Sequence, residues 1–285
     1  MEHAGGKLVE PDQADALIWA HASGDPRDLR RILDENPGIR WTHLTFAGIE
    51  RYAPYLDADR RWTCGKGVYA RPVAELALGL MLAGFRQIHR FARARSWGKL
   101  AGSSLFGAKV TILGGGGIAQ ALAHLLVPFD AQVTVVRHHP QPMPAVTEVV
   151  GQSGVPEALA NADLIVVALA LTPATERIID ARALGLMQEH AWLVNVARGS
   201  HVDTDALVAA LREGSIGGAA LDVTDPEPLP DGHPLWTLPN ALITPHTANP
   251  RSIGATMLVA RIQENVRRFA AGEELLGGVD VELGY

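Results

Sequence analysis

Val110-Thr111-Ile112-Leu113-Gly114-Gly115-Gly116-Gly117-Ile118-Ala119 runs from β-branched and apolar residues through a block of glycines into an amphipathic stretch ending near Leu126. The spacing is that of G-x-G-x-x-G/A. Gly114 permits a tight turn, Gly116 lets the backbone approach a pyrophosphate closely, and Ala119 lets a helix pack on the strand. Gly117 and Ile118 open that helix, whose first N–H groups and dipole suit an anion. Strand, glycine turn and helix in this order predict a dinucleotide site at the start of an α/β unit.

Outward from this stretch the chain keeps alternating. Further strands are expected at Val133 to Val136, Leu164 to Leu171, Trp192 to Val196, Ala219 to Val223 and Ala241 to Thr244. Near-continuous apolar runs such as LIVVALAL suit strands buried on both faces of a parallel sheet. Helices are expected at Glu157 to Ala162, Ala181 to Met187 and Thr204 to Glu213, the last capped by Asp203 and left through Gly214. Upstream, Pro72 to Trp97 reads as one long helix. Its apolar stripe (Val73, Leu76, Ala77, Leu80, Ala83, Gly84) would pack against the sheet or, alternatively, against another subunit, and Arg90, Arg93 and Arg95 lie toward its C-terminal end.

The first 70 residues show strands at Ala16 to Ala20, Trp41 to Phe46 and Arg61 to Cys64, with a short helix at Asp28 to Leu33; a helix at Met257 to Ala271 ends the pattern before Gly272. The fold class is α/β: a Rossmann-type doubly wound parallel sheet at 73–263, plus a smaller, discontinuous, flavodoxin-like substrate domain made of 1–72 with 264–285. That small domain looks N-terminally shortened, by about one strand and one helix.

Composition agrees with a globular protein. The 285 residues fit two domains at roughly 150 each, and apolar residues make up 47% against 20% charged. The net charge of −6 gives no reason to expect nucleic acid or an anionic membrane as partner. One cysteine, Cys64, cannot form an internal disulfide and suits a reducing, cytoplasmic compartment; it reads as a small buried residue, and no metal site is expected. The longest apolar run, Leu164 to Leu171, is too short to span a membrane, and Met1 to Glu10 has no signal-peptide core.

Arg137 stands 21 residues after Gly116, where an NAD site places an acidic residue on the ribose 2′-OH. An arginine pairs instead with a 2′-phosphate, so NADP(H) is preferred and NAD(H) remains possible; His138 is a candidate to line the same pocket with His139. Three segments then follow predicted strands at the carboxyl edge: Leu193 to Gly199 with Arg198, Leu221 to Leu229 with Asp222 and Glu227, and Ile243 to Ala248 with His246. An arginine, a glutamate and a histidine at successive strand ends compose a reductase site.

With these motifs, together with VAELALGLMLAG (73–84), LALTPATERII (169–179) and HPLW (233–236), the chain resembles the D-isomer-specific 2-hydroxyacid dehydrogenase family from about Trp41 to the C-terminal helix. The resemblance implies that Arg198 binds substrate, Glu227 is the carboxylate partner and His246 the general acid/base. It implies cofactor contacts from Leu169, Thr172, Val196, Ala197 and Asp222, the last on the nicotinamide carboxamide. Backbone amides of the loop at Ala47, Gly48 and Ile49 would hold the substrate carboxylate, beside Tyr69. Glu50 departs mildly from the family pattern there. Trp236 is either a pocket wall or a packing anchor. Arg137 is similar to the NADP-using glyoxylate and hydroxypyruvate reductases, so a small 2-ketoacid is the expected substrate and a homodimer the expected assembly. The alternatives are dehydrogenation of another D-2-hydroxyacid, phosphoglycerate, formate or phosphite, or a non-catalytic nucleotide-sensing scaffold.

Overall fold

The computed structural model describes residues 4–21 and 23–285, with Arg251 placed by its backbone alone; the first three residues of the stretch Met1 to Glu10 lie outside it. The chain divides into two units. One takes the chain up to Tyr69 together with Pro250–Tyr285, and the other takes Ala70–Asn249.

The larger unit holds β4 (Lys109–Leu113), β5 (Gln132–Val136), β6 (Glu148–Val150), β7 (Leu164–Val167), β8 (Trp192–Asn195), β9 (Gly218–Leu221) and β10 (Ala241–Ile243). They form one sheet in the order β10-β9-β8-β7-β4-β5-β6, with every pairing parallel. The order reverses between β4 and β7, so the crevice of a doubly wound sheet lies at their carboxyl ends. β7, β8 and β9 are buried at every residue, as strands covered on both faces should be. Around them lie α2 (Ala70–Phe85), α3 (Ile88–Arg93), α4 (Gly117–Leu126), α5 (Val155–Ala160), α6 (Ala181–Leu186) and α7 (Thr204–Glu213). Helix α7 begins with Asp203 accepting a hydrogen bond from Ala206 N and ends on left-handed Gly214.

Two expected elements differ in the structure, and one strand was not expected. The helix expected over Pro72 to Trp97 is two helices, because Gln87 adopts a left-handed conformation (φ 57°) and turns the chain. His89 fixes that turn: its buried ring contacts the carbonyls of Ala83 and Pro239 at 3.2 and 3.0 Å and meets Trp192 edge-on. The stripe on α2 does pack on the sheet, since a Cβ on Gly84 would lie 2.3 Å from Trp192 Cε3. β7 stops at Val167 rather than Leu171, and β6, three residues paired to β5, carries no periodic signal of its own.

The smaller unit has β1 (Ala16–Trp19), α1 (Pro26–Glu35), β2 (Trp41–Leu44), β3 (Arg61–Cys64) and α8 (Arg251–Ala271). Its three strands are parallel and stand in chain order. Asp25 caps α1 by accepting from Arg27 N, and Leu29 and Leu33 bury the inner face of the helix. The tail after α8 pairs with the edge of β3, Cys64 N donating to Gly277 O and Val279 N to Trp62 O. The domain cut expected at 264 would divide α8, which the structure keeps whole. Arg261 donates to Lys66 O, Asn265 Nδ2 to Leu276 O, and Phe269 stacks on Trp41, all within this unit. Among the described residues, no helix is long and apolar enough to cross a membrane.

Candidate active site

The glycine turn has the shape its spacing predicts. Gly114 has φ 113°, closed to other residues, and a Cβ there would sit 2.4 Å from Ala168 O. Gly116 caps α4 with no side chain and opens onto free space, while Ala119 is fully buried beneath it. Arg137, half-buried, lies directly over Gly115: a Cβ on that glycine would be 2.8 Å from Arg137 Cδ and 3.0 Å from Nε. Among the described residues no carboxylate pairs with Arg137. His138 and His139 are exposed, their rings 4.4 Å apart and edge to face. The loop after β7 is braced by Thr175 Oγ1, which donates to Ala170 O and accepts from Thr172 N; Leu169 and Thr172 are half-buried in it.

Arg198 follows β8 and is half-buried. The turn carrying it is built on Asn195, a polar residue buried completely at the end of an apolar strand. Its Nδ2 donates to Arg198 O (2.8 Å) and its Oδ1 accepts from Ala197 N (3.0 Å). Val196 and Ala197 are buried. Gly199 is pressed against the next loop so closely that a Cβ would lie 1.9 Å from Thr224 O. Ser200 and Thr204 hydroxyls donate to Asp225 from the same side. The loop bearing Arg198 is thus bound to the loop bearing Glu227.

Glu227 and His246 meet directly, with His246 Nδ1 2.7 Å from Glu227 Oε1 and both side chains partly open to solvent. His246 is held in a left-handed conformation (φ 48°), an unusual state for a residue with a Cβ, and its N–H donates to Asp222 O at 2.8 Å. Asp222 is buried. Its Oδ1 accepts from Thr244 Oγ1 and Thr247 N, and its Oδ2 from Ala248 N, so it fastens the loop on both sides of His246. Asn195, Gly199, His201 and Thr244 are the contributors that sequence reasoning gave no role. Only Asn195, polar in a run read as buried, carried a signal.

In the smaller unit, the loop after β2 turns at Ile49, whose side chain is buried in the core; Ala47 is exposed and Gly48 half-buried. Gly65 N donates to Phe46 O, and Tyr69 hydroxyl donates to Thr45 O at 3.2 Å, so the two flanking loops are tied together. Burial raises the Tyr69 phenol above its ordinary range. Burial likewise raises the Cys64 thiol, which sits in the core as a small residue. In HPLW the buried anchor is Leu235; Trp236 is half-exposed and donates its indole N–H to Pro230 O.

A doubly wound parallel sheet, a glycine turn at its switch point and a histidine–carboxylate pair at its carboxyl edge define a nicotinamide-dinucleotide oxidoreductase. Residues 77–248 match the D-isomer specific 2-hydroxyacid dehydrogenase NAD-binding domain. The human glyoxylate reductase/hydroxypyruvate reductase is 40% identical over 264 residues, spanning 88% of this chain and 77% of that protein. A D-isomer specific 2-hydroxyacid dehydrogenase from Xanthobacter autotrophicus Py2, solved in complex with NADPH and MES, superposes with a TM-score of 0.85 at 32% identity, over 99% of this chain and 89% of that one. An NADPH-dependent glyoxylate/hydroxypyruvate reductase from Sinorhizobium meliloti, in complex with NADP and sulfate, does so with 0.83 at 25%, over 97% and 88%. The chain belongs to the D-isomer-specific 2-hydroxyacid dehydrogenase family and is an NAD(P)-dependent oxidoreductase.

Proposed function

We propose that the protein reduces a small 2-ketoacid of the glyoxylate or hydroxypyruvate type to the D-2-hydroxyacid, with NADP(H) preferred over NAD(H). The observation that carries the chemistry is the 2.7 Å contact between His246 Nδ1 and Glu227 Oε1. The residues present fit a dinucleotide. Side-chain-free Gly116 opens the N-terminus of α4 to a pyrophosphate, and Arg137 offers a guanidinium beside the glycine turn, where an acid would repel a 2′-phosphate. Leu169, Thr172, Val196 and Ala197 would line the rest of that site, and Asp222 would accept from the carboxamide.

When bound, the reduced nicotinamide supplies a hydride to the keto carbon. Arg198 pairs with the substrate's carboxylate and keto oxygen, orienting the carbon and offsetting the negative charge that grows on oxygen. With Nδ1–H donated to Glu227, the imidazolium presents Nε2–H to that oxygen and transfers its proton, completing the alcohol. The neutral ring that remains keeps its Nδ1–H on Glu227 and is recharged from solvent, to which both side chains are open. In the reverse direction the same nitrogen takes the proton from the hydroxyacid. We assign the backbone amides at Ala47, Gly48 and Ile49 to the substrate carboxylate and Tyr69 to positioning that loop.

Ile88, Phe91, Trp97, Leu100 and Phe106 are all exposed within one segment of the larger unit, an apolar surface suited to a second copy of the chain, and this supports a homodimer. The lone cysteine supports a cytoplasmic location. The test is oxidation of NADPH, and separately of NADH, with a panel of 2-ketoacids including glyoxylate and hydroxypyruvate. His246→Ala should abolish turnover while NADPH binding, followed by fluorescence titration, is kept. Wild-type protein that binds NADPH but oxidises it with no ketoacid would overturn the proposal.

A further inference from the structure

The ring of His201 is completely buried three residues beyond Arg198. Its Nδ1 lies 3.1 Å from Arg198 O, and its Nε2 lies 3.3 Å from Ala170 O. Those two carbonyls belong to different loops. Arg198 O lies in the turn that carries the substrate-binding arginine and also accepts from Asn195 Nδ2; Ala170 O lies between Leu169 and Thr172 and also accepts from Thr175 Oγ1. The backbone of the same residue is tied to a third segment, where Ile179 N donates to His201 O. The ring thus lies between the two loops, with one nitrogen against a carbonyl oxygen of each.

We propose that His201 is a positioning residue that couples the cofactor loop at 169–172 to the placement of Arg198. The proposal rests on the functional reading above, for the roles of those two loops. Carbonyl oxygens cannot donate, so each contact is a hydrogen bond when the facing nitrogen carries the proton. The ring donates to either carbonyl according to its tautomer, so each loop depends on its own ring nitrogen. A hydrophobic residue of similar volume would fill the space and hold neither.

Three substitutions separate the two holds. His201→Asn places an amide near the Nδ1 position and keeps a donor for Arg198 O; His201→Gln places one near Nε2 and keeps a donor for Ala170 O; His201→Leu keeps neither. The readouts are the KM for glyoxylate, the Kd for NADPH by fluorescence titration without ketoacid, and amide hydrogen exchange across 168–176 and 196–201. Losing one buried hydrogen bond should change the relevant constant about five- to tenfold. His201→Asn is expected to weaken NADPH binding and deprotect 168–176 while keeping the glyoxylate KM within about twofold. His201→Gln should raise the KM and deprotect 196–201 while sparing NADPH. His201→Leu should show both losses.

If all three variants behave alike, whether like wild type or like the leucine variant, His201 is only a packing residue and the proposal fails. Should the protein turn over no ketoacid, the functional reading fails by itself. The NADPH and hydrogen-exchange patterns would still decide the role of His201.

Discussion

Acidification should destabilise the smaller unit through one residue, His43 on β2. Trp41 Nε1 donates to Thr63 Oγ1 at 2.8 Å, and that hydroxyl lies 2.8 Å from His43 Nδ1. The other ring nitrogen, Nε2, is buried with no hydrogen-bond partner among the described residues, so an added proton there finds no acceptor. Burial, and secondarily the charge of Arg261, push the imidazole down from 6.5 to about 4. Because the pKa is depressed on folding, the unfolded chain binds the extra proton first. The contribution to stability is whole above pH 6.5 and is lost as pH falls toward 4. At about 1.4 kcal/mol per pH unit, the full loss is about 3 kcal/mol, of which about 2 kcal/mol is gone by about pH 5. Urea unfolding of wild type and His43→Leu at pH 7 and pH 5, followed by tryptophan fluorescence, isolates this from other titrating groups, which both proteins share. The wild type should lose about 2 kcal/mol more than the variant between the two pH values. Parallel losses, within about 0.5 kcal/mol, would refute the reasoning.

Three further outcomes are expected. Arg137→Asp should raise the NADPH Kd at least about tenfold relative to that for NADH, since it exchanges a phosphate-pairing group for a like charge; competitive fluorescence titration reads the ratio. Gly199→Ala would force a methyl carbon to within 1.9 Å of Thr224 O, a backbone atom that cannot step aside, and should cost about 3 kcal/mol and depress kcat/KM, as thermal unfolding and initial rates will show. Sedimentation should give a mass of about twice the 30.4 kDa chain; a single-chain mass would remove the homodimer.

The elements most legible in the sequence are those whose signals are local. Helix α7 begins and ends where Asp203 and Gly214 say it should, because a capping carboxylate and a left-handed glycine act within a few residues. β3 at Arg61–Cys64 and the glycine turn at Gly114 are of the same kind. β6 exists because β5 offers it a register, and the helix at Phe85 breaks because His89 finds carbonyls as remote as Pro239. Neither cause lies in the residues that show the effect. The site divides in the same way. Arg198, Glu227 and His246 could be named because each follows an apolar run, whereas the contacts of His201 with Ala170 O and of Thr244 with Asp222 reach other loops and leave no mark in the local sequence.

Asp222 shows how the two kinds of information combine. The resemblance assigns its carboxylate to the nicotinamide carboxamide, yet its three hydrogen bonds are spent on Thr244, Thr247 and Ala248. The roles do not compete. A carboxylate offers about four acceptor positions. Oδ1 uses two and Oδ2 uses one, so Oδ2 can still accept from a single N–H of a primary amide. The loop bonds also satisfy the buried carboxyl oxygens, and they set the backbone on either side of His246. In the proposed function, one residue therefore ties the acid/base to the cofactor's reacting end. Replacing it by asparagine would set an amide nitrogen against the Thr247 N–H in one rotamer, or against the Ala248 N–H and the carboxamide in the other, so every rotamer opposes donor to donor.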